Sequence, residues 1–282
     1  RQALFHDAGL DYEFFEVLDS VTIARSRKHI EKYYNTAEIG TFPERNTPIS
    51  VQCPLTRREG AINYDIIYDQ LSILNLSVYT PSAFIHPSKI AKYDDLYDTE
   101  VHNTSFKQKD RENGLRILMR TNLLKRLESS VYAFRLTVQK IHDHISRTID
   151  LIEEFEKRKG SSLISESAFF EELDPDDQNY DLFATPGKIQ IELKDMDYRS
   201  WLHDLKIDHD ILSGLLKEIS TITPEEDEKL IVLKEMIREK IHNPINPGNK
   251  KILIFSAFAD TVEYLYEHIN PMITSEFGLH TG

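Results

Sequence analysis

Residues 114–159 read GLRILMRTNLLKRLESSVYAFRLTVQKIHDHISRTIDLIEEFEKRK, and this stretch decides the fold. No proline or glycine follows Gly114 within it, and large apolar residues recur at spacings of three and four, the period of an amphipathic helix. A single helix of about 45 residues would be roughly 65 Å long, longer than a compact domain usually contains. We therefore predict a very long helix with a kink or short break near residues 128–130.

Weaker helical patterns precede this stretch. Apolar spacing predicts one or two helices in residues 11–34. Thr56 is a candidate cap for a helix over residues 57–74, because Glu59 follows it by three positions. A second capped helix is predicted to begin near Pro81, and the charged residues 94–113 predict an exposed loop.

Downstream, an acidic stretch comes before two further helices. Residues 160–185 contain seven acids and no base, so we expect an acidic, mobile connection there. Residues 197–222 return to helical spacing. Thr223 and Pro224 have the form of a cap and a first-turn proline, which predicts a helix that runs to His242.

The C-terminal part begins with a break and then changes character. Residues 243–249 contain two prolines and a glycine, which predicts a domain boundary. Residues 251–255 form an apolar run of strand length, and a helix is predicted over residues 260–269; this order is the first half of a βαβ unit. Residues 49–55 alternate as a second short strand. A single strand needs a partner strand for its backbone hydrogen bonds, or it stays exposed. The partner could be residues 49–55 or the same strand of a second molecule, so one expectation is a homodimer through this edge.

The composition indicates a soluble globular protein. The 47 acidic and 34 basic side chains give a net charge of -13, which disfavours polyanion binding unless basic residues are gathered locally. Cys53 is the only cysteine, which excludes an intrachain disulfide and a cysteine zinc cluster, so we expect a cytoplasmic location. The longest apolar run has eight residues, against the roughly 20 that a membrane span needs, and we predict no membrane contact.

The sequence contains no complete catalytic motif. It lacks the phosphate loop, the dinucleotide fingerprint, His-Glu-x-x-His and Gly-x-Ser-x-Gly. His142 and His144 flank Asp143, but residues two apart on a helix face different ways. We therefore predict no metal site and assign these histidines to a solvated helix face.

One local basic cluster opposes the overall acidity. Its members are Lys107, Lys109, Arg111, Arg116, Arg120, Lys125 and Arg126. Arg116 and Arg120 share a helix face, where they can meet phosphates. The alternative is that Arg126 and Arg120 pair with acids such as Glu128 inside a helix bundle, and both interpretations stay open. A second cluster, Arg25, Arg27 and Lys28, allows the same two interpretations.

Three runs resemble motifs of one family. Residues 250–261 read KKILIFSAFADT and are followed by Tyr264 and Leu265, residues 227–233 read DEKLIVL, and residues 123–130 read LLKRLESS. The first run resembles motif IV, which opens the second RecA-like lobe of SWI/SNF-type ATPases of helicase superfamily two. The second resembles the helix before that motif, and the third is similar to a run in bacterial RapA-like members.

Upstream runs fit the same order. Residues 23–28 read IARSRK, residues 42–45 read FPER, and residues 49–56 read ISVQCPLT. Together they resemble the segment that leaves the first lobe, although Ser26 separates arginines that are adjacent in the family.

The resemblance implies a domain plan and a fold. Residues 1–56 would be the exit segment of lobe one, residues 57–242 a helical region between the lobes with the acidic mobile segment at 160–185, and residues 243–282 a linker and the start of lobe two. The fold class is then mainly α: a helical bundle with one very long or kinked helix, little β structure, and a truncated α/β RecA-like start at the C-terminus.

The resemblance also implies a function. The parent would be an ATP-dependent, DNA-translocating motor that binds ATP and magnesium, and this chain would supply interlobe coupling and contacts to the backbone of duplex DNA. Ser256 and Thr261 would join Arg116, Arg120, Lys125, Arg126, Arg25, Arg27 and Lys28 in those contacts, unless Ser256 and Asp260 merely cap the following helix. The phosphate loop, the magnesium box and the motif VI arginine would lie outside this chain, so we expect a fragment without ATPase activity or a cofactor of its own, whose main partner is the rest of the motor. The alternative is a helical scaffold or protein-interaction module with no nucleic-acid role.

Overall fold

The computed structural model describes residues 30, 32, 46–97, 99–101, 104–106, 108–158, 163–165 and 190–280. The chain divides into two compact units, residues 1–51 and 52–282, and the description below concerns the second. Three predictions fall mainly outside the described residues: the helices in residues 11–34, of which only residues 30 and 32 are described, the basic cluster at Arg25, Arg27 and Lys28, and most of the acidic segment 160–185.

The described residues are mainly α-helical, which confirms the predicted class. The helices are α1 (Tyr64–Ile73), α2 (Ile90–Tyr97), α3 (Gln108–Ser129), α4 (Val131–Arg158), α5 (Tyr198–Ile219), α6 (Glu228–His242) and α7 (Ala259–Phe277). Four three-residue strands, β1 (Thr99–Val101), β2 (Thr104–Phe106), β3 (Leu163–Ser165) and β4 (Gln190–Glu192), form two antiparallel pairs, β1 with β2 and β3 with β4. No helix of this described part is long and apolar enough to cross a bilayer.

The long helical stretch breaks where the sequence predicts a break. Helix α3 ends at Ser129 and α4 starts at Val131. Ser130 lies between them, and its Oγ accepts a hydrogen bond from the Ala133 amide at 3.0 Å. A serine hydroxyl in this position satisfies an amide that the first helical turn leaves unpaired, so Ser130 both ends one helix and starts the next.

The main core lies between α1, α3, α4 and α5. An irregular segment at residues 74–81 passes through it, and Trp201 of α5 donates an indole hydrogen bond to the Ser77 carbonyl at 2.9 Å. The buried Asp208 carboxylate accepts hydrogen bonds from the amides of Asn75 at 2.7 Å and Ser77 at 3.1 Å. Leu76 between them has φ 52°, a left-handed conformation that a leucine rarely adopts, and the carboxylate holds it there.

Several predicted boundaries are wrong because a different polar side chain caps the helix. Helix α1 begins at Tyr64, since Asn63 accepts from the Ile66 amide at 2.9 Å, and not after Thr56. Helix α6 begins at Glu228 after the cap Asp227, and not after Thr223.

The segments around Pro81 also differ from the prediction. Short 3-10 helices, Ser77–Tyr79, Pro81–Phe84 and Pro87–Lys89, replace the helix predicted at Pro81. The stretch predicted as an exposed loop contains the end of α2, the β1–β2 pair and the start of α3.

The predicted α/β start at the C-terminus is not formed. Residues 251–255 and 49–55 have no regular secondary structure, and in the described chain neither segment has a strand beside it. A strand is defined by its ladder partner, so an apolar run without one stays irregular. Helix α7 extends well beyond residue 269 and packs on α6 around a second core of Leu230, Ile237, Ile241, Tyr264, Ile269 and Met272.

Candidate functional site at the joint between two long helices

A buried ion pair connects the end of α3 to the first turn of α7. Arg126 donates from Nη1 to Oδ2 of Asp260 at 2.7 Å. Its guanidinium also lies 4.7 Å from the centre of the Phe258 ring, a distance that gives cation–π attraction. The arginine is buried and the aspartate is partly exposed, so the pair is shielded from water on one side only.

Four hydroxyl groups at the α3–α4 break form a second contact between these helices and the α7 region. Thr261 is buried, and its Oγ1 lies 2.8 Å from Ser129 Oγ and 3.0 Å from Ser130 Oγ. Ser256 Oγ lies 3.3 Å from Ser129 Oγ and accepts from the Phe258 amide at 3.1 Å. Hydroxyls both donate and accept, so these groups satisfy one another. We call this cluster the joint: Arg126, Ser129, Ser130, Ser256, Asp260 and Thr261.

Asp227 fixes α6 and α7 beside the joint. Its Oδ1 accepts from the amides of Lys229 at 3.1 Å and Leu230 at 3.2 Å, and its Oδ2 accepts from the Tyr264 hydroxyl at 3.0 Å. Burial, with the negative charge of Asp227, raises the pKa of Tyr264 well above its usual value. Tyr264 therefore remains a neutral donor, and its ring stacks on Tyr132 of α4 with centres 5.0 Å apart.

Residues 55–58 contact the first residues of α6 beside the joint. The Leu55 carbonyl accepts from the Glu228 amide at 3.2 Å, and Arg57 pairs with the buried Glu228 carboxylate at 2.5 Å. Lys229 donates from Nζ to the carbonyl of Glu128, at the end of α3. Residues from segments far apart in sequence thus meet around the α3–α4 break.

The predicted nucleic-acid contacts separate into two groups. Arg126, Ser256 and Thr261 come together in the joint, and Arg126 pairs with Asp260 rather than with Glu128. Arg120 donates to the Leu74 carbonyl at 2.6 Å, where it closes the C-terminal end of α1.

Arg116 and Lys125 are predicted contact residues of α3 to which the structure gives no bond within the described part of the protein. Arg116 is half-buried and Lys125 is exposed on α3.

The interpretation that Ser256 and Asp260 cap the last helix is wrong. The cap residue of α7 is Phe258, which makes no side-chain cap, and Asp260 pairs with Arg126.

The histidines of α4 do not lie on a solvated face. His142 is half-buried, with Nε2 2.9 Å from Ser213 Oγ and its ring 4.4 Å from the ring of His209. His144 is buried and meets the edge of Tyr79. Over the part of the chain that the structure covers, no three potential metal ligands come together.

Sequence reasoning missed Asp227 and Tyr264 as part of this site. The available signal was the aspartate itself, since an acid three residues before a leucine-rich helical run is a cap candidate. The preceding Thr-Pro pair at residues 223 and 224 also has the form of a helix start. The sequence therefore predicts a cap at Thr223, whereas the structure has it at Asp227.

Comparisons with known proteins give no identification. No protein-family model matches the chain, and neither the curated proteins nor the solved structures contain a significant match.

Proposed function

We propose that this chain is the coupling region of an ATP-dependent, DNA-translocating motor of the SWI/SNF type. One observation carries the proposal: the runs that resemble the family, residues 49–56, 123–130, 227–233 and 250–261, contribute residues that meet around one helix break. Leu55, Arg126, Asp227 and Thr261 belong one to each run. A resemblance by chance in four short runs gives no reason for the runs to lie in contact around one helix break.

The geometry suggests how such a region would transmit movement. Helix α7 is tied to the α3–α4 break through the Arg126–Asp260 pair and through the Thr261 hydroxyl. Packed helices move as rigid bodies about their interfaces. A shift of α7, driven in the parent by ATP-dependent closure of the two lobes, would therefore turn α3 and α4 together.

The proposal keeps two finer elements of the sequence analysis. Residues 251–255 would become the first strand of lobe two once another strand pairs with them. Contacts to the DNA backbone would come from Arg116 and Lys125, because Arg120, Arg126, Ser256 and Thr261 already bind groups inside the protein. Such contacts position a protein on DNA without reading its sequence.

Duplex DNA binding by the chain tests this function. We expect weak binding at low salt that falls steeply as salt rises, because the contacts are to phosphates. Replacing both Arg116 and Lys125 by alanine should lower the affinity and reduce the slope of log K against log salt by about 1 to 2. The measurement is fluorescence anisotropy with a labelled duplex at several salt concentrations.

The matched control replaces Lys140 and Lys217, which are exposed on α4 and α5. This double variant should bind DNA as the unmodified chain does. Equal losses in both double variants would mean that only net charge matters, and no binding even at low salt would reject the nucleic-acid role.

A helical scaffold is the second candidate. Two observations favour it: the net charge of -13, and the use of Arg120 and Arg126 in internal bonds. A scaffold is expected to bind no DNA at any salt concentration, so the same titration separates the two functions.

A further inference from the structure

An apolar opening lies beside α7. A groove of about 710 Å³ is lined mainly by aliphatic side chains of residues 252–254, α7 and the end of α6. Ile252 and Ile254 are 37% and 44% exposed, whereas Leu253 and Phe255 are 82% and 88% exposed. Val262 and Tyr266 of α7 add further exposed apolar surface. Apolar area of this kind, gathered in one place, marks an interaction surface.

The backbone of this segment is also unpaired. Among the described residues, no backbone–backbone hydrogen bond involves residues 250–257. The exposed fraction alternates from 252 to 255 in the way that a strand exposes every second side chain. The Lys251 amide donates to Asn249 Oδ1 at 3.1 Å, and the following residues to Phe255 have no backbone partner in the described part of the chain. Such a segment accepts an extended strand, because the incoming backbone supplies the missing partners.

We propose that a second copy of this chain supplies that strand, through antiparallel pairing of residues 251–255 about a two-fold axis at Leu253. The inference rests on the strand proposed above for these residues, and it concerns this chain by itself, in which no described strand lies beside them. The register is self-complementary: Leu253 faces Leu253, Ile252 faces Ile254, and Lys251 faces Phe255. Every apolar residue of the run then meets an apolar residue or the methylene stem of a lysine.

Charge selects the antiparallel direction. Lys250 and Lys251 of one copy come beside residues 255 and 256 of the other, next to the first turn of α7 with Asp260 and the exposed Glu263. Parallel pairing would instead place the four lysines side by side, which is repulsive.

The area fits a weak, reversible dimer. Complete cover of the exposed apolar side chains of the segment and of Val262 and Tyr266 in both copies would remove at most about 1,200 Å² of surface, the lower end of the range for specific interfaces.

Single-cysteine cross-linking of the full chain tests the register. Cys53→Ser first removes the native thiol. Leu253→Cys then places two thiols across the axis, where Cα atoms of paired residues are about 4.5–5.5 Å apart, within disulfide reach. Lys250→Cys places them roughly 20 Å apart, and Ile117→Cys puts a thiol at another exposed position, on α3.

We expect a concentration-dependent dimer in sedimentation experiments without DNA, and a monomer for Leu253→Lys. Mild oxidation should cross-link Leu253→Cys at least about tenfold faster than either control. A chain that stays monomeric up to its solubility limit, or equal cross-linking of all three variants, overturns the proposal. Because no DNA is present, either failure leaves the DNA-binding test of the motor function unaffected.

Discussion

The two hydrophobic cores of this protein differ in how completely they are covered. In the main core, residues 74–81 fill the space between the helices, and the buried carboxylate of Asp208 has its amide donors in place. The second core, under α6 and α7, is open on the side of residues 251–255, where Leu253 and Phe255 face solvent. The first region is complete in itself, whereas the second has the surface of a structure that needs a partner.

The largest effect should come from the centre of the main core. Trp201→Ala removes a fully buried indole and its hydrogen bond to Ser77, and we expect a loss of about 3–5 kcal/mol in the free energy of unfolding. The loss is measured by urea unfolding. Circular dichroism is the signal, because Trp201 is the only tryptophan and the variant therefore has no tryptophan fluorescence to follow. Ile117→Ala, at an exposed position of α3, should change stability by less than about 0.5 kcal/mol. Similar losses in the two variants would contradict the idea of a closed core.

An intermediate effect is expected at the joint. Arg126→Met removes the partner of the Asp260 carboxylate, which is partly shielded from water. Breaking a fully buried pair costs about 3–5 kcal/mol. Because this pair is buried on one side only, we expect a smaller loss, about 2 kcal/mol, in the free energy of unfolding. Arg238 forms the comparable pair on the surface, with Glu276 of α7 at 2.7 Å, and Arg238→Met should cost no more than about 1 kcal/mol. Urea titration of both variants compares them, and equal losses would show that the joint adds nothing beyond surface pairing.

The smallest effect should depend on pH. A hydrogen bond from Lys92 to Asp195 lowers the pKa of this carboxyl group below its ordinary value. The unfolded chain therefore takes up a proton more readily, so the contribution of Asp195 is present above the unfolded pKa and is lost as pH falls through the folded pKa. The stability difference between the unmodified chain and Asp195→Asn should be larger at pH 7 than at pH 3. An equal stability difference at both pH values would show that the charge of the Asp195 carboxylate does not contribute to stability.

Local patterns in the sequence carry most of the helical architecture. The period of residues 114–159 predicts α3 and α4, and the serines at 129 and 130 explain the break between them. Helix α5 also follows its apolar spacing. These features depend on contacts within one helix or between neighbouring turns, which the sequence displays directly.

Two boundaries were missed because a nearby side chain, Asn63 or Asp227, caps the helix, and the remaining failures involve partners that are distant in sequence. Whether residues 251–255 form a strand depends on a neighbour that the described chain does not supply. The roles of Arg120 and Arg126 depend on the Leu74 carbonyl and on Asp260, and no spacing rule connects those positions. Buried acids such as Asp208 look like ordinary surface charges in the sequence, because their donors are amides of another segment.

The joint also bears on the order in which the chain folds. Arg126 and Asp260 are 134 positions apart, while α3 and α4 are consecutive and can pack as soon as both are formed. Closing so long a loop has an entropic cost that must be met before the ion pair contributes, and contacts of high sequence separation slow folding. The Arg126–Asp260 contact is therefore expected to form late, and only in molecules whose intervening helices have already reached their native arrangement.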